Sequence, residues 1–360
     1  MALEHKSWKG TTGGTPWMQR FLISYLRHFS LRSLYFIMAF VAPFYMLFNH
    51  RGYLAIYHYF HDRMGLNPFL SFCWTWKNHY RFGQIILDRF AMYAGKKFEF
   101  EKVGSEEFER LCFGDTAETG NSAEAGNSAE AGNSAEAEDS AGDLTGNGSE
   151  GIQVNCDAGD YDKEKSNISD VETVKEENGG MVMLGAHIGN YELSGYSLNP
   201  GNKKIYTLVF GGETDTVMDN RTKSFSKNGI SMINVADDMS HIFRLNDALV
   251  HGDIVSMPGD RMFGSCKYLT GRLLWADAKF PAGPFTVAAQ RNLPTFAVFS
   301  MKESTKKYKL YVFRLDDEES RAANRNERAA LLLKHYTRHL ERILLKYPAQ
   351  WFNYYEFWEQ

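Results

Sequence analysis

The chain reads as an α/β protein with a mixed, mostly parallel sheet flanked by helices. Three observations predict this. From residue 181 onward, short apolar runs alternate with amphipathic segments. Gly, Asn or Pro punctuates most of the joins. Hydrophobic residues make up 44% of the 360-residue chain and aromatics 14%, which is ample for a core. Strand-like and helix-like segments in alternation imply parallel strands covered by helices.

Met181 to Leu184, preceded by Gly179-Gly180, is a short apolar run of the kind buried strands use. A helix follows from about Asn190. Lys204 to Phe210 reads as a strand, Thr214 to Phe225 as a helix, and Ser231 to Val235 as a strand. Ser240 to Val250 has helical spacing, with Gly252 as its stop. Asp253 to Met257, Leu293 to Met301 and Tyr308 to Arg314 are further strands. Arg321 to Lys346 is one long amphipathic helix halted before Pro348. In such sheets ligands gather at the carboxyl ends of strands.

Residues 1–50 form a membrane-like helical segment. Leu34 to Phe48 is an uncharged, almost wholly apolar run broken only by Pro43. Its fifteen residues fall short of the roughly 20 needed to cross hydrocarbon. A buried core helix would look similar, but the basic residues before the run (Lys6, Lys9, Arg20, Arg27, Arg32) favour a short span or a helix lying in the head-group plane. Residues 51–114 continue as aromatic-rich helical material.

Residues 115–178 form an acidic, low-complexity insertion predicted to be disordered. Gly-Asn-Ser-Ala-Glu-Ala begins at Gly120, Gly126 and Gly132, and such units cannot build a repeating apolar face. Between residues 115 and 177 there are 17 acidic and 3 basic residues, so this stretch is at -14 and the remainder of the -4 chain at +10. A basic body suits anionic lipid surfaces or an acidic carrier protein. No zinc-finger spacing or aromatic RNA-binding motif supports nucleic acid. Cys73, Cys112, Cys156 and Cys266 are scattered, which argues against structural zinc and a disulfide framework.

Residues 179–360 hold the candidate chemistry. Gly185-Ala186-His187-Ile188-Gly189-Asn190-Tyr191-Glu192 places a histidine and a carboxylate around a strand-to-helix turn. On one continuous helix, residues five apart point about 140° away from each other. With His187 before the helix and Glu192 in its first turn, the side chains can converge. A carboxylate on one imidazole nitrogen leaves the other free to take a proton, as a general base does. The same two residues would also serve as an ordinary structural pair. Asp260 and Arg261 follow the strand ending at Met257, so they can face the same cleft, with Asp260 positioning the arginine. His335 and His339 stand one turn apart without a third ligand, so no metal is expected.

The His-x4-Glu pattern after an apolar strand resembles the motif of the lysophospholipid and lipid A biosynthesis acyltransferases, in particular the late acyltransferases of lipid A. Val255 to Arg261, Phe280 to Phe285, Leu293 to Val298 and Tyr347 to Phe352 resemble further blocks of that family in the same order. The resemblance implies a glycerolipid-acyltransferase-like fold and transfer of a fatty acyl chain from a thioester to a lipid hydroxyl or amine. His187 would be the base, Glu192 its orienting partner, and backbone N–H groups at Gly189 and Asn190 the oxyanion site. Arg261 would hold a phosphate, and Phe280 with Gly283 would shape the acyl groove.

No Gly-x-Ser-x-Gly motif is present, so direct attack is expected rather than an acyl-enzyme. The implied partners are acyl-carrier protein or acyl-coenzyme A as co-substrate, a lipid A precursor as acceptor, and an anionic membrane surface. No cofactor or metal is implied. A full span would carry the body away from cytosolic donors, so attachment in the plane of the cytoplasmic face of the inner membrane is expected. The alternatives are an acyltransferase for another membrane lipid (an amino-acid lipid, a glycerolipid or a pigment), and a thioesterase or ester hydrolase or a non-catalytic lipid-binding protein on the same fold.

Overall fold

The computed structural model describes residues 15–113, 179–209, 215–226, 228–235, 240–262 and 267–359. The acidic insertion, Cys156 and Cys266 lie outside them. Helices α1 (Pro16–His28), α2 (Leu31–Phe48) and α3 (His50–His58) lead through a π-helical turn at Tyr59–Arg63 into the long α4 (Pro68–Tyr93). Thr15 and Asn67 cap α1 and α4 with their side chains, each followed directly by proline.

Beyond α4 come β1 (Glu99–Val103) and α5 (Glu106–Phe113). The strand corrects the expectation of wholly helical material there. Glu99-Phe100-Glu101-Lys102-Val103 is a charged strand that pairs, among the described residues, with β9 alone, and charge at an edge discourages further pairing.

After the insertion the alternation follows the predicted order. It runs β2 (Met181–Gly185), α6 (Tyr191–Ser197), β3 (Ile205–Val209), α7 (Asp215–Ser226), β4 (Ile230–Asn234), α8 (Ser240–Val250) and β5 (Ile254–Pro258). A hairpin, β6 (Tyr268–Leu273) with β7 (Ala276–Pro281), precedes α9 (Ala282–Gln290), β8 (Thr295–Lys302) and β9 (Lys307–Arg314). The hairpin gave no warning in the sequence, because its turn holds Leu274 and Trp275 at φ of 47° and 65° where Gly or Asn is usual.

The helix expected over 321–346 is two, α10 (Glu318–Ala322) and α11 (Arg325–Lys346). Asn324 starts the second with a capping box to Glu327, and extended backbone at Ala323 ends the first.

Seven strands pair in the order β1-β9-β8-β2-β5-β3-β4, parallel throughout except for β8 against β9. β2 lies at the centre, which explains its unbroken apolar character. Its residues alternate between the two faces: Val182 and Leu184 join the core under α9 and α11, Met181 and Met183 the core under α5. Val255 and Met257 of β5 and Phe299 and Met301 of β8 belong to the first core, Phe296 and Val298 to the second. A third core joins Leu26, Leu31 and Tyr35 to Leu87, Phe90 and Ala91 of α4.

The face of α2 turned away from that core is exposed. Phe36, Phe40, Phe44 and Phe48 recur every fourth residue and form one stripe, while Leu31, Tyr35, Ala42 and Met46 are buried opposite. By length and composition α2 could cross a membrane, as could many buried core helices.

One polar network ties these helices to the sheet. Lys302, at the end of β8, bonds Asp88 of α4 and the hydroxyl of Tyr35 of α2, and both Tyr35 and Tyr308 donate to Asp88. The Lys302 and Asp88 side chains are fully enclosed. Burial pushes the Asp88 carboxyl up and the Lys302 amine down from their usual ranges, and mutual attraction opposes both shifts. Asp88→Ala leaves the ammonium without its partner and should cost roughly 3–5 kcal/mol. Asp88→Leu combined with Lys302→Met should cost less than Asp88→Ala alone in thermal or urea denaturation. A double variant as unstable as the single one contradicts this account.

Candidate active site

Strand register assembles the site. Gly185 of β2 stands opposite Pro258 of β5 in a parallel pair, so residues two places beyond each strand end are neighbours. Those residues are His187 and Asp260. Gly185 itself is held by its carbonyl, which accepts from the Gly259 N–H at 2.9 Å and the Tyr336 hydroxyl at 2.8 Å.

Asp260 is fully buried and accepts twice from one residue. His187 Nδ1 donates to Oδ1 at 2.8 Å, and the His187 backbone N–H donates to Oδ2 at 2.8 Å. The Asn353 amide adds a longer contact to Oδ2 at 3.4 Å. Although burial raises the Asp260 carboxyl, the His187 ring, its bonds and Arg261 outweigh it and hold the group below the usual carboxylate range. An ionised Asp260 keeps the ring proton on Nδ1, which leaves Nε2 as a bare acceptor. The His187 side chain is 23% exposed, and no described residue bonds Nε2.

Burial lowers the imidazole from its ordinary value, and Arg261 adds to the shift. Asp260 pulls the other way without cancelling it, and Arg89 contributes a smaller lowering effect. The ring is therefore neutral and ready to accept a proton near neutral pH.

This geometry corrects the expected pair. The carboxylate on His187 is that of Asp260, which is also coupled to Arg261 by charge and through the Asn353 side chain. Glu192 lies in the first turn of α6 but is engaged elsewhere. Its buried carboxylate accepts from Arg221 of α7 and from Tyr93 of α4 at 3.2 Å, with the Arg89 guanidinium at 3.2 Å. These cations and bonds outweigh its burial and hold it ionised below the usual carboxylate range. Glu192 thus locks three helices together beside the site. It remains a neighbour through Tyr191, whose ring lies 5.6 Å from the His187 ring and 4.7 Å from the Arg89 guanidinium.

The expected oxyanion donors are also committed. The Gly189 N–H donates to the Gln350 carbonyl and the Asn190 N–H to the Ser300 carbonyl, both at 2.8 Å. Asn190 is buried at the N-cap of α6 without a side-chain capping bond. Gly189 has φ of 52°, and a Cβ there would meet the Ser300 carbonyl oxygen at 2.1 Å, so this position needs glycine for backbone reasons.

Arg261 is the charged donor beside the imidazole. Its guanidinium donates to Asn353 Oδ1 at 3.0 Å and the Phe352 carbonyl at 3.3 Å, and lies 5.5 Å from the Tyr355 ring centroid.

Phe280 is completely buried, edge-on to Tyr336 and Phe357, and so is core. It reaches the site only through Tyr336. Gly283 is exposed in the first turn of α9, with open space where a Cβ would stand. Neither is brought to His187, because the Phe280–Phe285 block is a strand-to-helix junction rather than a tight turn.

His335 and His339 are half-buried. The His335 Nδ1 lies 2.7 Å from the Leu315 carbonyl, and His339 stacks on Phe313. Both therefore pack toward the sheet rather than into solvent. No group of metal-binding side chains occurs among the described residues.

The chain end closes the site from below. Ile188 bridges to Trp351, the Phe352 N–H donates to the His187 carbonyl at 2.9 Å, and the Gln350 side chain bonds both the N–H and the carbonyl of Lys302. The Asn78 amide on α4 donates to the Trp351 carbonyl at 2.7 Å.

Four outcomes follow. Asp260→Ala should lower any His187-dependent turnover by about 10²–10⁴ with little loss of affinity, since it removes the group that sets the imidazole. Glu192→Gln leaves buried arginines uncompensated and should act chiefly on stability, by roughly 3–5 kcal/mol in denaturant unfolding. In any His187-dependent turnover the acid limb of kcat/KM should lie below pH 6.5, because the imidazole is held below its ordinary value. Arg261→Gln removes a lowering charge and should move that limb to higher pH; a limb that stays put or falls contradicts the assignment. Compared with models of known families and with curated proteins, the chain matches none.

Proposed function

We propose that the chain is an acyltransferase that moves a fatty acyl group from an acyl-carrier or coenzyme A thioester to a hydroxyl, or an amine, of a lipid acceptor. The observation that carries the reading is the His187–Asp260 pair, with Nε2 exposed and unbonded among the described residues at the carboxyl ends of adjacent parallel strands. The resemblance of His187-x4-Glu192 and the later blocks to the lipid A acyltransferases favours a lipid A precursor as acceptor. It also favours a glycerolipid-acyltransferase-like version of the α/β fold.

In the proposed reaction Nε2 takes the acceptor's proton as its oxygen bonds to the thioester carbonyl carbon. Asp260 stabilises the imidazolium that forms. The guanidinium of Arg261, a fixed positive charge beside the ring, would offset the anion developing on the carbonyl oxygen. Collapse of the tetrahedral adduct breaks the C–S bond, and the thiolate leaves with the proton returned from Nε2.

The exposed phenylalanine stripe on α2, together with Trp17 and Phe21 on α1 and Phe69 and Phe72 on α4, suits a helix lying at lipid head-group depth. This attachment would leave the body on the cytoplasmic face of the inner membrane, where the thioester donors are.

A hydrolase would use the same pair with water as nucleophile. Turnover that continues undiminished without a lipid acceptor would favour it. The central test is lipid mass spectrometry of cells with and without the gene. A lipid species should lose one acyl group in its absence, and His187→Ala should reproduce that loss with purified turnover down by at least about 10². Retained lipid binding with no turnover in the wild type would indicate a binding protein instead. Unchanged lipid profiles would sink the proposal.

A further inference from the structure

One buried side chain touches both charged groups that act on the imidazole. Asn353, 3% exposed, donates from its amide to Asp260 Oδ2 at 3.4 Å and accepts from the Arg261 guanidinium on Oδ1 at 3.0 Å. The two ends of the amide match the two charges, its N–H toward the anion and its carbonyl toward the cation. The reverse orientation would set donor against donor and acceptor against acceptor. Asn353 stands one residue beyond the Tyr347–Phe352 block, so the resemblance gives it no role.

The chain on either side of Asn353 is pinned. The Phe352 N–H donates to the His187 carbonyl at 2.9 Å, and the Phe352 carbonyl accepts from Arg261 at 3.3 Å. The Tyr354 hydroxyl donates at 3.1 Å to Asn78, whose own amide holds the Trp351 carbonyl at 2.7 Å. The rings of Phe352 and Tyr354 each lie 5.2 Å from the ring of Phe82. Asn78 and Phe82 stand one turn apart on α4, so this helix clamps both neighbours of Asn353.

Asp260 and Arg261 are adjacent in the chain and opposite in charge. A guanidinium brought onto a carboxylate tends to take both of its oxygens. Such a contact would compete with the two bonds that His187 makes to Asp260. We infer that Asn353 is a positioning residue that acts as a spacer, bonded to both groups so that Asp260 stays with His187 and Arg261 stays beside the ring. A carboxylate at this position would repel Asp260, a cation would repel Arg261, and an apolar side chain would leave the two to meet. The other groups facing the pair are Arg89 of α4 and Tyr191 of α6 near the ring, and Tyr336 of α11 near Asp260. Glu192 acts on this set through Arg89. For turnover the role rests on the acyl-transfer reading; for the state of the imidazole it does not.

The test is an NMR titration of the full chain carrying isotope-labelled histidine, the His187 ring signals being those missing from His187→Gln. In the wild type the neutral ring should hold its proton on Nδ1 and titrate below pH 6.5. Asn353→Leu should lower the titration further, because an Asp260 engaged by Arg261 supports the imidazolium less. The same variant should admit the tautomer protonated on Nε2, and kcat of His187-dependent turnover should fall about 10² with KM little changed. Asn353→Ser, a smaller change that serves if leucine prevents folding, cannot span both groups and should move both ring signals the same way.

In an Arg261→Gln background there is no cation left to hold off. Adding Asn353→Leu there should change neither the titration nor the tautomer. A titration unchanged or raised in both single variants would overturn the inference. So would an equal shift with and without Arg261, which is what a side chain that merely packs would give. Wild-type protein with the expected ring state but no acyl transfer refutes the acyl-transfer reading and leaves the spacer standing.

Discussion

Everything at the candidate site depends on the parallel pairing of β2 with β5. Because Gly185 faces Pro258, equal two-residue extensions place His187 against Asp260. Asp260 then accepts from both the ring and the backbone of His187, which fixes the position of the residue and the tautomer of its ring together. One register shift in this pair would separate the two side chains and turn the strands' apolar sets over. Both faces of β2 are buried, Val182 and Leu184 in one core and Met181 and Met183 in the other, so such a shift would have to repack both cores at once.

A second layer of contacts holds the turn that carries the imidazole. Its backbone is bonded from two directions, by Gln350 through Gly189 and by Ser300 through Asn190. Gln350 in turn grips Lys302, whose amine reaches Asp88 and Tyr35. Hydrogen bonds thus link the exposed aromatic helix α2, through Lys302 and Gln350, to Gly189, two residues beyond His187. Glu192 performs a parallel service through Arg89, Tyr93 and Arg221. Two buried ionic clusters therefore connect to the same strand-to-helix turn. Each joins helices that precede the insertion to elements that follow it.

Charge separates the molecule by task. The insertion concentrates acidic residues and leaves the remainder of the chain basic. Within that basic remainder Arg261 acts on the imidazole, whereas a small cavity beside Asn353 is lined by an excess of carboxylates.

Much of the fold was legible in the sequence because local rules dominate it. Apolar runs bounded by Gly, helical spacing and a proline stop located β2 to β5, α8, β8 and β9 in order, and His187 and Asp260 were placed at the same end of the sheet. Local signals failed where tertiary contacts overrode them. A hairpin turned at Leu274 and Trp275 without glycine, and a helix expected to be continuous was split at Asn324.

At the site the sequence named the histidine and misassigned its partner. Glu192 is near in the chain, and proximity in the chain suggested the pair. The choice between Glu192 and Asp260 was made by strand adjacency and by the arginines that claimed Glu192, and both are long-range facts. Backbone N–H groups at Gly189 and Asn190 looked free for the same reason, since their acceptors, Gln350 and Ser300, lie more than a hundred residues away. Sequence by itself determined which residue types stand at the strand ends. Only tertiary structure decided which of them meet, because hydrogen bonds are won by whatever folding brings within about 3 Å.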